Sequence, residues 1–470
     1  MVFSTSLFLI YFFPIFLIIY FLVKKEFKNT VVLIASILFY AWGGKLFTFV
    51  LLGTLVLDFI LVQKLDSAKK ENKKGLFLSS IFINLGLLIY FKYSNFFIEN
   101  VDSILGNSSN WSKVVLPIGI SFITFHKMSY SFDVYRGTYQ PLKSFKDYAL
   151  YILLFPQLIA GPIVRYNEIA DQLIDREKNE TIDNKILGFF RFAIGLGKKV
   201  LIANVLGESA TEIMSLDPHT LSAYQAWAGA ILYTFHIYFD FSGYSDMAIG
   251  IARMIGFKFP ENFNFPYMAQ NITEFWQRWH ITLGRWMRDY LYIPLGGNKV
   301  TVNRMYINLS IVFLLSGLWH GASWNFVIWG VFHGFFLILD RLFLIDFNKK
   351  IGKVPSIALT FFITILGWVI FASKDAAQII SYMSAMFGQG NSSALIILHF
   401  QTWVLLVVAV VFSFTPLLKG VESKLCFWES ISVLSGKQAV FLAVIIFVLV
   451  SISLCYVAGS GFNPFIYFRF

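Results

Sequence analysis

Cysteine and charge are what this sequence has least of. Its two cysteines, Cys426 and Cys455, stand in or beside apolar runs, so neither a disulfide framework nor a Cys-based metal site is expected. Only 14% of the 470 residues are charged. Soluble domains carry about 25%, so this chain cannot cover a water-facing surface of ordinary polarity. Several catalytic signatures are missing too. There is no Gly-x-Ser-x-Gly elbow and no His-Glu-x-x-His zinc helix. Gly195-Leu-Gly-Lys198-Lys199 lacks the spacing, and the following Ser or Thr, of a nucleotide-binding loop. No internal repeat stands out, which speaks against the inverted-repeat transporter folds.

What is present is apolar: 57% of residues are hydrophobic and the mean hydropathy is +0.67. Runs long enough to cross a ~30 Å hydrocarbon core recur along the whole length. Spans are expected near 5–23, 30–43, 46–63, 75–92, 113–131, 147–163, 186–206, 222–250, 302–318, 322–345, 354–372, 396–417 and 437–458. The net charge of +11 is read as cytoplasmic loops rather than a nucleic-acid surface. No positive charge precedes the first run, whereas Lys24, Lys25 and Lys28 follow it. A secretory signal has the opposite layout, so this is a retained helix with its N-terminus outside. Basic loops at 24–28 and 64–74 then lie in the cytoplasm, and 94–112, with Glu99 and Asp102, lies outside. Ala41-Trp-Gly-Gly44 becomes an external turn. The run 147–163, interrupted by Pro156, Gly161 and Pro162, reads as a re-entrant loop. The expectation is one all-α polytopic membrane domain over 1–470, with about 11–13 membrane-embedded helices and no separate soluble domain.

Seven histidines are present: His126, His219, His236, His280, His320, His333 and His399. His219 reads as a loop bystander and His399 as interfacial. The other four lie in or beside apolar segments, where an ionisable group is costly and functional by default. Gly317 and Gly321 flank His320, which would let the backbone break and another group approach. A neutral imidazole there suits a general base on a hydroxyl group, and a plain core histidine is the competing reading. Trp276, Trp279, Leu283 and Trp286 recur at helical spacing with Arg278, Arg285 and Arg288 among them. The pattern reads as a basic amphipathic helix at the interface, in which His280 is incidental. His236 and Asp240 are i and i+4 and share a helix face. Asp240 and Asp246 need partners, with Arg278, Arg285 or Lys198 as candidates, and Asp58 is read as structurally paired.

Taken together, these residues resemble the membrane-bound O-acyltransferase superfamily, in its bacterial branch of alginate and peptidoglycan O-acetylation proteins. Seven motifs in order carry the resemblance: Phe39-Tyr-Ala-Trp-Gly43, Leu116–Phe122, Phe155–Pro162, Tyr238-Phe-Asp-Phe-Ser-Gly-Tyr-Ser-Asp246, Phe275–Tyr290, Gly317-Leu-Trp-His-Gly-Ala322 and Asn463–Phe468. It implies that His320 is the catalytic histidine and His280 a second functional one. It also implies helices ringing a central tunnel, with Trp319, Asn325, Asp240, Ser242, Arg285, Arg288 and Asp289 as candidate tunnel residues. Teichoic acid D-alanylation proteins share both histidine motifs, but the 238–246 run and the C-terminal motif are closer to the acetylating group.

The expected donor is acetyl-CoA or another acyl thioester, with its phosphates held by Lys198, Lys199, Arg285 or Arg288. No permanently bound cofactor and no metal are expected. The acceptor is a hydroxyl of a polysaccharide or of a carrier, reached directly or through an acyl-histidine. An extracytoplasmic acetyltransferase partner is expected, alongside membrane lipids and no nucleic acid. The location that follows is a bacterial cytoplasmic (inner) membrane. Two other classes compete. A glycan or lipid transporter would use the same His and Asp residues as a proton relay, and a scaffold would need the aromatic stretch 275–290 but not His320.

Overall fold

A computed structural model describes residues 1–106, 109–391, 397–418, 431 and 433–459. The closing motif at 463–468 and Cys426 lie outside the described residues. Apolar runs become helices because a backbone without water must satisfy its own N–H and C=O groups, and no strand occurs among the described residues. The helices used below are α1 (Phe13–Leu22), α2 (Lys25–Gly44), α3 (Phe47–Ser67), α4 (Lys70–Leu88), α5 (Ile120–Tyr135), α6 (Phe145–Leu153) and α7 (Ala223–Met254). They continue with α8 (Ile272–Arg278), α9 (Ile281–Met287), α10 (Val302–His320), α11 (Trp324–Leu339), α12 (Lys353–Ala372), α13 (Phe400–Phe414) and α14 (Gly436–Gly459).

Among the described residues, eight helices are long and apolar enough to cross a membrane: Lys25–Gly44, Phe47–Ser67, Lys70–Leu105, Val302–His320, Trp324–Ile351, Lys353–Ala372, Phe400–Leu417 and Gly436–Gly459. The protein is therefore an all-α, multi-pass membrane protein. The run Leu7–Leu22 is a shorter apolar helix. α7 is 32 residues long, but Asp240, Asp246 and Arg253 interrupt its apolar character.

The chain forms two compact units, Met1–Phe192 with Met247–Pro260, and Ala193–Asp246 with Glu261–Phe470. In the first, Phe3, Phe8, Phe39 and Phe155 pack ring on ring. Residues 154–164 are irregular and wholly buried. Their backbone is satisfied by protein, as an irregular stretch away from water requires. Ser36 Oγ accepts from Phe155 N–H at 3.1 Å, and Tyr151 donates its hydroxyl to the Val164 carbonyl at 3.2 Å.

Two expectations about this unit shift. Residues 41–44 are the last turn of α2 rather than a loop, and the chain reverses at Lys45, whose φ of 44° is left-handed. Gly44 is needed there because a Cβ would sit 2.6 Å from the Tyr40 ring. The expected span at 113–131 begins as a helix only at Ile120. Gly119, at φ 72°, turns the chain into α5 so close to the Leu158 carbonyl that a Cβ would lie 2.9 Å from its oxygen.

Candidate functional site

α10 ends on His320, and the position of that end is set by backbone contact. A Cβ at Gly317 would lie 2.2 Å from the Phe326 carbonyl oxygen, and one at Gly330 would lie 2.5 Å from that of Phe313. α10 and α11 therefore touch main chain to main chain one turn below the histidine. Gly321 is extended, and a Cβ there would meet the Phe326 ring at 2.1 Å. The two glycines flanking His320 thus admit a neighbouring helix and its phenylalanine, where the sequence pointed to a broken backbone admitting a ligand. Helical geometry runs unbroken through His320. Asn325 is occupied structurally: its Oδ1 accepts from Ser323 Oγ and its Nδ2 donates to the Phe371 carbonyl at 3.3 Å, tying the 321–323 turn to the end of α12.

The His320 imidazole is 5% exposed. Trp319, Trp329 and Phe371 surround it with ring centroids at 5.0, 5.0 and 5.3 Å, each nearly perpendicular. Beneath Trp329 lies His333, 4.9 Å from that indole and 5.0 Å from Trp276. Trp329 and His333 are i and i+4 on α11, so one helix face carries both.

His280 is brought in by a break that the sequence did not reveal. The stretch 275–290 is two short helices, α8 and α9, hinged at His280, whose φ of 44° and ψ of 52° are left-handed. A non-glycine residue in that conformation is uncommon and concentrates at functional sites. The aromatic stripe is core: Trp279 and Trp286 are 2% and 4% exposed. It is therefore no interfacial anchor, because the hinge turns those rings into the helical bundle.

The hinge places His280 Nδ1 3.1 Å from Asn262 Oδ1. Thr282 donates both its hydroxyl, at 2.8 Å, and its backbone N–H, at 3.3 Å, to the same atom. A backbone N–H can only donate, so that atom is the amide oxygen and His280 Nδ1 carries the proton. Nε2 is then a bare lone pair with no partner among the described residues. Burial holds the imidazole down to about 3, so it is neutral at physiological pH. Phe241 packs edge-on against it at 4.7 Å, and Trp319 lies 6.1 Å away. Both histidines therefore border one indole, that of Trp319.

The remaining expected site residues divide. Asp240 pairs with Lys199 at 2.6 Å, neither side chain having any exposed surface, and Lys199 also donates to Asn204 Oδ1 at 2.7 Å. A lysine enclosed in this way is not placed to hold the phosphates of a donor. Lys198 bonds Asp246 at 2.7 Å, as its candidacy anticipated. The expected face-sharing partner of Asp240, His236, directs Nδ1 to the Ala203 carbonyl at 2.8 Å. Ser242 is buried on α7 beside Phe241. Arg285 is exposed, and Arg288 pairs with Asp289 at 2.7 Å on the surface. No cluster of metal-ligating side chains occurs among the described residues. Sequence reasoning missed Asn262, Thr282, Phe241, Trp329 and Phe371. Of these, only the Trp329–His333 spacing on an apolar helix left a readable signal.

The pattern of the membrane-bound O-acyltransferase family matches residues 76–371. The chain is 37% identical to the probable alginate O-acetylase of Azotobacter vinelandii across 100% of both proteins. It is also 37% identical to the peptidoglycan O-acetyltransferase of Helicobacter pylori, over 84% of this chain and 81% of that one. The teichoic acid D-alanyltransferase of Bacillus subtilis is 30% identical over 55% of this chain and 69% of its own.

Proposed function

Because this chain belongs to the membrane-bound O-acyltransferase family and is a membrane O-acyltransferase, we propose that it moves an acetyl group from a cytoplasmic acyl thioester, such as acetyl-CoA, toward hydroxyls of an extracytoplasmic polysaccharide. Relatives named for alginate and peptidoglycan O-acetylation, similar over most of the chain, support acetyl over D-alanyl as the group moved. The observation that carries the reading is the convergence of His280 and His320 on Trp319, buried among aromatic rings.

In the proposed reaction, His320 takes the proton of the acceptor hydroxyl as its oxygen adds to the thioester carbonyl. The tetrahedral adduct expels the thiolate, and the imidazolium returns the proton to that sulfur, leaving an ester and a free thiol. General-base assistance of this kind is worth about 10²–10⁴-fold in rate. His280, neutral and with Nε2 bare, accepts a hydrogen bond from a neighbouring hydroxyl of the acceptor and so orients it. Arg285 and Arg288, the exposed cations of this segment, are the candidates to hold the donor's phosphates.

The location proposed is the bacterial cytoplasmic (inner) membrane with the N-terminus outside, supported by the basic loops at 24–28 and 64–74. An extracytoplasmic acetyltransferase that receives the acetyl group is the proposed partner.

The test is ester-linked acetate on the envelope glycans of a deletion strain complemented with wild type or with His320→Ala, at matched membrane levels. Acetate restored by wild type alone supports the reading. Full restoration by His320→Ala removes the histidine from the chemistry.

A further inference from the structure

Away from the histidines, the first unit buries a lysine that no carboxylate bonds. Lys127, midway along α5 and 3% exposed, donates to the Thr54 carbonyl at 3.3 Å. That is its one hydrogen bond among the described residues, and no carboxylate forms an ion pair with it there. Asp58, whose charge reaches Lys127, spends its oxygens elsewhere. They accept from Ser80 Oγ at 2.9 Å, Asn84 Nδ2 at 2.8 Å and the Tyr148 hydroxyl at 2.6 Å. Once protonated, that amine has three N–H donors, of which the Thr54 carbonyl meets one.

Lys127 also lines a cavity whose other walls include Leu51, Phe91, Ile123 and Thr124. Val50 shares that lining and is 46% exposed, so the cavity opens onto the outer side of α3. On a spanning helix that side faces hydrocarbon.

We propose that this cavity binds the carboxylate end of a long-chain fatty acid, with Lys127 as its counter-ion. An enclosed amine with no ion pair calls for an acid that can protonate it and stay as its counter-ion, and apolar walls with a lipid-facing mouth call for an acyl chain. Depth separates this ligand from a phospholipid. Thr54 lies about two helical turns inside α3, roughly 10 Å at 1.5 Å per residue, below the plane where headgroups are held. A carboxylic acid crosses hydrocarbon in its neutral form. At Lys127 the carboxyl proton passes to the amine nitrogen, giving carboxylate and ammonium, with no other bond made or broken. Neither partner bears a charge alone in a dry space, where an isolated ion is too costly to persist. The site stands whether or not the acyl-transfer reading above is right.

The experiment uses the full chain in phosphatidylcholine nanodiscs with doxyl-labelled stearate, read by electron paramagnetic resonance. The expected result is a motionally restricted component that unlabelled palmitate displaces and that the methyl ester of the same label lacks. Lys127→Met should weaken binding by at least about tenfold, a factor corresponding to 1.4 kcal/mol. Leu51→Trp, which fills the cavity from its wall, should do the same and serves where Lys127→Met does not fold. Equal restriction of acid and ester, displacement by lysophosphatidate as readily as by palmitate, or undiminished binding in folded Lys127→Met would each overturn the assignment.

Discussion

The amide oxygen of Asn262 lies 3.1 Å from Nδ1 of His280, and both donors of Thr282 converge on that same oxygen. Asn262 thereby fixes which imidazole nitrogen is left bare. Removing the orienting partner of a metal-bound histidine costs about 10–100-fold in affinity or activity, and a comparable loss is expected for this imidazole. Asn262→Leu is expected to lose that much acyl transfer, whereas Asn262→Asp, which keeps an acceptor at the position, retains more. The carboxylate should also raise the pH at which the imidazole titrates. Acetate incorporation measured across pH for both variants checks this, and equal activity in wild type and Asn262→Leu would refute it.

The same imidazole makes stability depend on pH. Its ordinary value of 6.5 is lowered to about 3 by burial. Between those values the unfolded chain binds a proton that the folded chain refuses. Stability is therefore fully present above about pH 6.5 and falls as pH drops towards 3. Going from pH 7 to pH 5 should cost about 2 kcal/mol from this residue. Thermal unfolding of detergent-purified protein at the two pH values measures it. His280→Gln should show a smaller drop than wild type, and an unchanged drop would count against burial of the neutral form.

Contact between α10 and α11 predicts an asymmetry among glycines. Gly317→Ala and Gly330→Ala would each press a methyl against a backbone carbonyl oxygen, at 2.2 and 2.5 Å. Neither oxygen retreats unless the helices part, so a loss of about 1–3 kcal/mol is expected, as in other overpacked sites. Because His320 is the last residue of α10, activity should fall with stability. Gly334→Ala, whose methyl would lie an ordinary 3.4 Å from Phe313 Cβ, should be nearly silent. Unfolding midpoints of the three variants decide the matter.

Much of this was readable in the chain. Apolar runs located the long helices, because length and hydropathy alone determine what crosses hydrocarbon. His320 stood out as an ionisable group at the end of such a run. The stretch 275–290 misled for a physical reason. Its 3.6-residue rhythm continues across Trp279 and His280, while the left-handed φ that breaks the helix leaves no mark in residue type. Asn262 was invisible because its contact with His280 joins a loop to a hinge with no periodic relation between them. The glycines around His320 were recognised as places of close approach, but sequence does not say whether ligand or helix approaches. Lys127 attracted no notice, since a lone lysine in an apolar run looks like any snorkelling side chain until its neighbours are known.

Lys199 and Asp240, wholly enclosed and 2.6 Å apart, also bear on how the protein enters the membrane. Lys199 emerges during synthesis before Asp240 exists. Placing either charge alone at the centre of a bilayer costs about 2.5–3.5 kcal/mol on insertion scales. The segment bearing Lys199 therefore carries an uncompensated charge until α7 arrives with the opposite one. A buried ion pair of this kind makes the packing of the two segments interdependent, since neither charge is compensated in an apolar interior without the other.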